Sequence, residues 1–188
     1  MRPEQGLLDI RKALDLYANV RPAGFPSESL LAHSPLKESV AKGTNIIVVR
    51  ELVKGLYYGE RKEADLDTPG GDGEASDMMV YNRADVQRIT RLAAYLALQS
   101  NPPMKVHSID KANVLETSRL WRKVVTEVGT RYPDVTLEHQ YVDSCALLLA
   151  TNPKHFDVVL SGNLFGDILS DEAGSVVGSL GLLPSASI

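Results

Sequence analysis

Two aspartates, Asp167 and Asp171, stand four residues apart in the segment Asn163-Leu-Phe-Gly-Asp-Ile-Leu-Ser-Asp171. Residues 161–163, Ser-Gly-Asn, predict a turn and a helix N-cap directly before them. Because residues i and i+4 share one face of a helix, the two carboxylates would repel each other unless a cation lay between them. A hard divalent cation with oxygen ligands would suit that position. The alternative is a pair of solvated acids on an exposed face, which is the commoner arrangement of charged residues.

Six further polar residues could complete a site: Asp143, Arg11, Arg21, Arg50, Lys111 and Tyr57. Three aspartates form a plausible site for Mg²⁺ or Mn²⁺. Guanidinium groups recognise carboxylate or phosphate, and a lysine and a tyrosine could transfer protons. Together these groups suit reactions at a 2-hydroxy acid, in which a metal ion chelates the hydroxyl and carboxylate groups and then stabilises an enolate. Each arginine could equally be a solvated charge, the lysine a surface residue and the tyrosine a packing residue.

The elements that would position these residues alternate between helix and strand through the second half of the chain, which is typical of an α/β fold. The last helix should bury Ile168, Leu169 and Val176. Apolar spacing and turn residues predict helices over 6–17 and from 82, 115, 143 and 163, and strands over 18–22, 45–50, 104–109, 135–142 and 157–160.

Lys111, Asp143 and the Asp167–Asp171 pair each lie just beyond the carboxyl end of a predicted strand. Open α/β sheets bind their ligands at this edge. The shared location strengthens the case for a site, although the solvated-face alternative stays open.

Residues 60–77 are acidic and glycine-rich and lie between two short β-like runs, 56–58 and 78–81. This composition predicts a projecting hairpin arm, over about residues 55–82, with a mobile tip. Residues 23–36 are rich in proline, serine and glycine and predict a loop, as do residues 178–188.

Composition narrows the class of protein. The chain has 188 residues and a net charge of −4, which argues against nucleic acid or an anionic membrane as the main partner. The longest apolar run, 145–150, is too short for a membrane helix. A single cysteine cannot form an internal disulfide, so a reducing, cytoplasmic location is expected. The four histidines lack zinc-like spacing, and a surface or strand role is predicted for each: His33, His107, His139 and His155.

The order of several motifs resembles the isocitrate/isopropylmalate dehydrogenase family, the metal-dependent β-decarboxylating dehydrogenases. The resemblance covers essentially the whole chain. It implies NAD-dependent oxidative decarboxylation of 3-isopropylmalate to 4-methyl-2-oxopentanoate in leucine biosynthesis. It is carried by Gly6-Leu-Leu-Asp-Ile-Arg11, Leu16-Tyr-Ala-Asn-Val-Arg-Pro22, Val49-Arg-Glu-Leu52, Tyr57-Tyr-Gly-Glu60, Asp110-Lys-Ala-Asn-Val-Leu-Glu116, His139-Gln-Tyr-Val-Asp143, the segment 162–171, and Gly178-Ser-Leu-Gly-Leu-Leu-Pro-Ser-Ala-Ser187.

The resemblance also implies a role for each candidate residue. The arginines would bind the malate carboxylates, with Tyr57 and Lys111 as the acid–base pair. The aspartates would hold Mg²⁺ or Mn²⁺, with Asp143 also near the substrate. A polar, serine-containing segment stands in related isocitrate enzymes where this chain has apolar residues, which favours isopropylmalate. The residues expected to line the isopropyl pocket are Leu7, Leu8 and Val114, and the residue expected near the nicotinamide is Glu4.

In this family Lys111 and Asp143 would reach into the neighbouring subunit's site, so the partner implied is a second copy in a homodimer, with the arms paired. The domains implied are a remnant of a nucleotide-binding domain over 1–16, a dimer-forming metal and substrate domain over 17–177, and a return segment over 178–188. The family's first nucleotide-binding strands and its adenosine-gripping segment are missing from these residues, which indicates a partial sequence. The alternatives are a sibling enzyme acting on isocitrate, homoisocitrate, tartrate or malate, or a catalytically silent dimerisation module.

Overall fold

A six-stranded sheet forms the centre of the computed structural model, which describes residues 3–71, 73–178 and 183–188, without the side chains of Pro3 and Glu4. The sheet order is β6-β5-β7-β2-β1-β8, and β3 pairs separately with β4. The strands, in chain order, are β1 (Ala18–Gly24), β2 (Asn45–Glu51), β3 (Arg61–Lys62), β4 (Ser76–Asp77), β5 (Val106–Asp110), β6 (Leu137–Tyr141), β7 (Val158–Ser161) and β8 (Ala186–Ser187).

The four strands at the centre and one edge of this sheet are parallel: β2 pairs with β7, β7 with β5, and β5 with β6. At the other edge, β1 runs antiparallel to β2, and β8 runs antiparallel to β1. A mainly parallel sheet needs helical crossovers on its faces. The predicted α/β class is confirmed.

The helices are α1 (Pro3–Ala13), α2 (Glu38–Ala41), α3 (Arg83–Ala97), α4 (Glu116–Gly129), α5 (Val142–Thr151) and α6 (Asn163–Val176), with short 3₁₀ helices over Glu28–His33, Gly55–Tyr58 and Pro153–His155. The cap predicted before α3 is present, because Asn82 accepts a hydrogen bond from the Asp85 backbone and Asp85 accepts one in return. No helix among the residues described here is both long and apolar enough to cross a bilayer.

Apolar side chains that alternate along the strands feed two cores, one on each face of the sheet. Val158 and Leu160 of β7 pack with α3 and α4, whereas Val159 between them packs with α5 and α6. Successive residues of a strand point to opposite faces, so a strand covered on both sides is apolar throughout. This explains why β2 and β7 are continuous β-branched runs rather than alternating ones.

Several predicted boundaries differ from the structure. The first helix ends at Ala13 rather than near residue 17, because Asp15 has a positive φ of 47° that ends the helical path. Residues 23–36, predicted as loop, contain the end of β1 and the 3₁₀ helix that Ser27 caps. The tail predicted as loop contributes β8, while residues 179–182 lie outside the described part of the chain.

The hairpin arm is present, but its strands are not the predicted runs. Residues 56–58 belong to a 3₁₀ helix, and β3 and β4 pair further along the arm. Gly55 has a φ of 76°, which interrupts an extended path before the apolar run. A Cβ at Gly59 would lie 1.7 Å from the Met78 carbonyl oxygen, so the two sides of the arm meet there through a glycine.

Candidate functional site

A cleft of about 460 Å³ gathers most of the predicted site residues. Arg50 ends β2, and Arg21 lies on the neighbouring strand β1. Tyr57 follows β2, and Asp167 lies on α6, the helix after β7. The helix α1 provides an apolar wall. The lining residues are Leu7, Leu8, Arg11, Arg21, Arg50, Tyr57, Arg61 and Asp167.

Arg50 is held in place by two residues of α6. It is 2% exposed, and its Nε and Nη2 donate to Asn163 Oδ1 at 3.0 and 2.7 Å. Its Nη1 forms an ion pair with Asp167 Oδ1. Asn163 donates in turn to the carbonyl oxygens of Leu52 and Lys54. Because the guanidinium is nearly inaccessible and has fixed partners, its orientation toward the cleft is set before any ligand arrives.

The role predicted for Asn163 as an N-cap is wrong. Gly162 occupies the cap position without a side-chain bond, and Asn163 is the first helical residue. Its side chain is buried and serves Arg50 instead of the helix backbone. Ile168 is also corrected, since it is 56% exposed, whereas Leu169 and Val176 are buried as predicted.

Gly166 permits the close approach of α6 to β2. A Cβ at this position would lie 2.7 Å from Arg50 Cγ and 2.8 Å from Arg50 Cβ. These atoms are next to the backbone of a central strand and have little freedom to move away. The glycine therefore sets the distance between the helix that carries Asp167 and the strand that carries Arg50.

We expect Gly166→Ala to destabilise the chain by about 1–3 kcal/mol, because the added methyl group overpacks the contact with Arg50. Urea unfolding followed by circular dichroism measures the change. Gly6→Ala is the matched control, since a Cβ at Gly6 in α1 would meet nothing within 4 Å and alanine favours a helix. A Gly166→Ala chain at least as stable as the Gly6→Ala chain would contradict the close-packing argument.

Arg21 and Asp171 form the second ion pair of the site. Arg21 Nη1 lies 2.8 Å from Asp171 Oδ1 and donates to Ser170 Oγ at 2.9 Å, while Nε donates to Asn19 Oδ1 at 2.8 Å. The Asp171 side chain is 59% exposed. An exposed ion pair of this kind contributes little to stability, so its carboxylate can exchange partners at small cost.

Tyr57 donates its hydroxyl proton to Asp167 Oδ2 at 2.8 Å. Partial burial and this hydrogen bond raise the pKa of the tyrosine, while the positive charge of Arg50 opposes the rise. A phenol with a raised pKa keeps its proton at neutral pH. Tyr57 is therefore placed to act as a proton donor inside the cleft.

Lys111 and Asp143 lie outside the cleft and pair with each other. Lys111 Nζ is 2.6 Å from Asp143 Oδ1, in the turns after β5 and β6. This hydrogen bond lowers the pKa of Asp143. Within the described part of the chain, Asp143 does not join Asp167 and Asp171 in a group of ligands close enough to share one ion. A single chain thus brings together two of the three predicted carboxylates.

Asp167 and Asp171 fit part of a Mg²⁺ or Mn²⁺ site. Both are hard oxygen donors on one face of α6, and each carboxylate already faces a cationic guanidinium in the cleft. The repulsion expected between them is therefore relieved by two arginines. A metal ion of octahedral preference would need further oxygen ligands from substrate, water or another chain.

Three residues of the site were not identified from the sequence. Arg61 lines the cleft, Asn163 holds Arg50, and Asn19 holds Arg21. The position of Asn19 two residues before Arg21 was a usable signal, since alternate residues of a strand share a face. Val114, predicted as an apolar contact, is 61% exposed and does not line this cleft. The side chain of Glu4 lies outside the described residues.

Comparison with known proteins assigns the class. The sequence matches the isocitrate/isopropylmalate dehydrogenase family over residues 1–188, so the chain belongs to this family. It is 58% identical over 190 residues to 3-isopropylmalate dehydrogenase from Cyberlindnera jadinii and, over the same length, 58% identical to the enzyme of that name from Kluyveromyces lactis. All of this chain is covered in both matches, but it spans 51% of each relative's length.

Solved structures agree with the family and the fold. An isocitrate dehydrogenase from Methylococcus capsulatus superposes with a TM-score of 0.84 at 35% identity, covering 96% of this chain and 50% of that protein. The TT0538 protein from Thermus thermophilus gives a TM-score of 0.81 at 31% identity, covering 97% of this chain and 34% of that protein. The fold is therefore that of isocitrate dehydrogenase-like proteins.

Proposed function

We propose that this chain carries the substrate and metal site of an NAD-dependent dehydrogenase that oxidatively decarboxylates 3-isopropylmalate in leucine biosynthesis. The observation that carries the proposal is the single cleft in which three arginines, Tyr57 and Asp167 face an apolar wall of Leu7 and Leu8. A dicarboxylate with an apolar branch complements both parts of this cleft. The relatives named 3-isopropylmalate dehydrogenase support the same substrate.

The arginines bind and orient the substrate. Arg50, fixed by Asn163, presents its guanidinium at the base of the cleft, and Arg11 and Arg21 line the same space. Two carboxylates held by planar guanidinium groups would align the hydroxyl-bearing carbon for hydride loss to NAD. Leu7, which is 49% exposed, and Leu8 would receive the isopropyl group and gain apolar burial on binding.

Proton transfers are assigned to Tyr57 and Lys111. The Tyr57 hydroxyl, protonated at neutral pH, gives its proton to the carbon from which CO₂ departs. Lys111 takes the hydroxyl proton during oxidation. When bound to Asp167 and Asp171, Mg²⁺ or Mn²⁺ would supply positive charge against the enolate that decarboxylation generates.

A second copy of the chain is needed to complete this site. Lys111 and Asp143 lie away from the cleft of their own chain, so we propose that they enter the cleft of a partner subunit in a homodimer. The arm supports this arrangement, because β3 and β4 form a two-stranded sheet whose outer edges offer unpaired backbone groups. Glu4 remains the residue predicted to lie near the nicotinamide.

An absorbance assay of NADH formation tests the proposed substrate. With Mg²⁺ and protein expressed from its complete coding sequence, we expect kcat/KM for 3-isopropylmalate to exceed that for malate by at least about a hundredfold, since malate lacks the apolar branch. Isocitrate, homoisocitrate and tartrate complete the panel. Faster turnover of any of these acids would assign a different substrate, and no turnover of any acid would favour a silent dimerisation module.

A further inference from the structure

Three potential metal ligands meet near the amino-terminal ends of the parallel strands, at the opposite end from the arginine cleft: His107, Glu138 and His155. Their ligand atoms all lie within 4.8 Å of one another. His107 and Glu138 are register partners on β5 and β6, so their side chains leave the sheet on the same face. His155 ends the 3₁₀ helix that precedes β7.

His107 has no hydrogen-bond partner among the described residues. Its side chain is fully buried, and both ring nitrogens are unpartnered. The distance of 3.6 Å from His107 Nε2 to Glu138 Oε2 is too long for a hydrogen bond. Buried polar groups normally have a partner, and an unpartnered one requires a physical explanation. Burial lowers the pKa of His107 to about 4, so at neutral pH the ring is uncharged and offers a lone pair.

We propose that His107, Glu138 and His155 form a second cation site, which binds a borderline divalent transition-metal ion such as Zn²⁺. Two imidazole nitrogens and one carboxylate oxygen are a ligand set that zinc accepts, whereas Mg²⁺ prefers oxygen alone. The ion would give the buried His107 nitrogen the partner that it lacks. Water would supply the fourth position.

The distances fit this proposal with small movements. Ligand atoms around a tetrahedral zinc ion lie about 3.3 Å apart when each bond is about 2.0–2.1 Å long. The 3.6 Å between His107 Nε2 and Glu138 Oε2 is already close to this value. Glu138 and His155 are both partly exposed, so their side chains can close the remaining gap while His107 stays fixed in the core.

Two neighbouring interactions suggest competing explanations. Lys105 Nζ lies 3.4 Å from Glu138 Oε1, but this pair is exposed and leaves Oε2 toward His107. The rings of His107 and His155 also pack at 4.8 Å between centroids, and each contacts Phe156 at 5.0 Å. Ring packing alone would not need imidazole nitrogens, so replacing one histidine by phenylalanine separates the two explanations.

A bound ion would join three separate parts of the chain. It would connect the edge strand β6 to β5 and to the turn that leads into β7. The site is independent of the proposed dehydrogenase activity, because it lies at the other end of the strands and uses none of the cleft residues.

The test is a titration of the untagged full chain with Zn²⁺, after treatment with a chelator and in a large excess of Mg²⁺ that occupies hard oxygen sites. A chromophoric chelator reports the competition, and Co²⁺ in place of Zn²⁺ reports nitrogen ligation by its visible absorption. We expect one equivalent per chain. His155→Phe keeps the ring packing, and Glu138→Gln keeps the side-chain shape, yet each should weaken binding by at least about tenfold. His107 is left unchanged because its replacement would disturb the core.

His33→Phe is the matched control, since His33 is an exposed histidine of a different element. It should bind Zn²⁺ like the original chain. Circular dichroism of each variant without metal confirms that it is folded. The proposal is overturned if Zn²⁺ fails to bind in excess Mg²⁺, or if His155→Phe and Glu138→Gln bind it as tightly as His33→Phe does.

Discussion

Replacing Asp167 by Asn is expected to lower kcat/KM for 3-isopropylmalate by at least about a thousandfold, because one carboxylate serves three functions. It pairs with Arg50, it accepts the proton of Tyr57, and it is a proposed metal ligand. The amide is uncharged, is a poor ligand for Mg²⁺, and cannot keep both the arginine and the tyrosine in their present orientations. The assay follows NADH formation by protein expressed from its complete coding sequence.

Two further measurements separate these contributions. A Mg²⁺ titration should show weaker binding to Asp167→Asn, and urea unfolding should show a loss of about 1–3 kcal/mol, because the nearly buried Arg50 loses its counter-ion. Glu172→Gln is the matched control, since it removes one negative charge from the same helix without touching the cleft. Equal Mg²⁺ affinity and equal turnover in the Asp167 and Glu172 variants would refute the role of Asp167.

Mixing two inactive variants should restore activity if each site is built from two chains. In a homodimer of Asp143→Asn with Asp167→Asn, one site combines the intact Asp167 of one chain with the intact Asp143 of the other. The second site carries both changes. With random pairing, half of the dimers contain one such intact site, so about a quarter of the original activity is expected after the variants are unfolded together and refolded.

Each variant refolded by itself provides the control and should remain inactive. A mixture as inactive as its components would show that Asp143 acts within its own chain or not at all. This result would overturn the shared site, while leaving the substrate assignment to the panel of acids. The experiment thus tests the assembly separately from the chemistry.

The sequence by itself determined the class of fold, the family and most of the cleft. Continuous β-branched runs such as 45–50 and 157–160 predicted strands buried on both faces, and β2 and β7 confirm them. The capping box before α3 is a local signal and was also correct. Local patterns succeed where the nearest neighbours in the chain decide the conformation.

The sequence failed where a distant residue decides. Apolar character at 56–58 predicted a strand, but the positive φ of Gly55 and the packing of the arm produce a 3₁₀ helix. Asn163 was predicted as a helix cap, but Arg50, which lies 113 residues away, takes its oxygen. A side chain with two possible partners bonds to the one that the fold buries beside it, because an unpaired buried charge costs more than an uncapped helix.

Tertiary structure alone decided which polar residues share a location. It placed Arg11, Arg21, Arg50, Tyr57 and Asp167 in one cleft and left Lys111 and Asp143 outside it. It also joined His107, Glu138 and His155, whose spacing in the sequence predicted no zinc site. The physical reason is that parallel strand order is independent of chain order. Crossovers bring the ends of β5, β6 and β7 side by side, so residues that are far apart in the chain become neighbours at the two edges of the sheet.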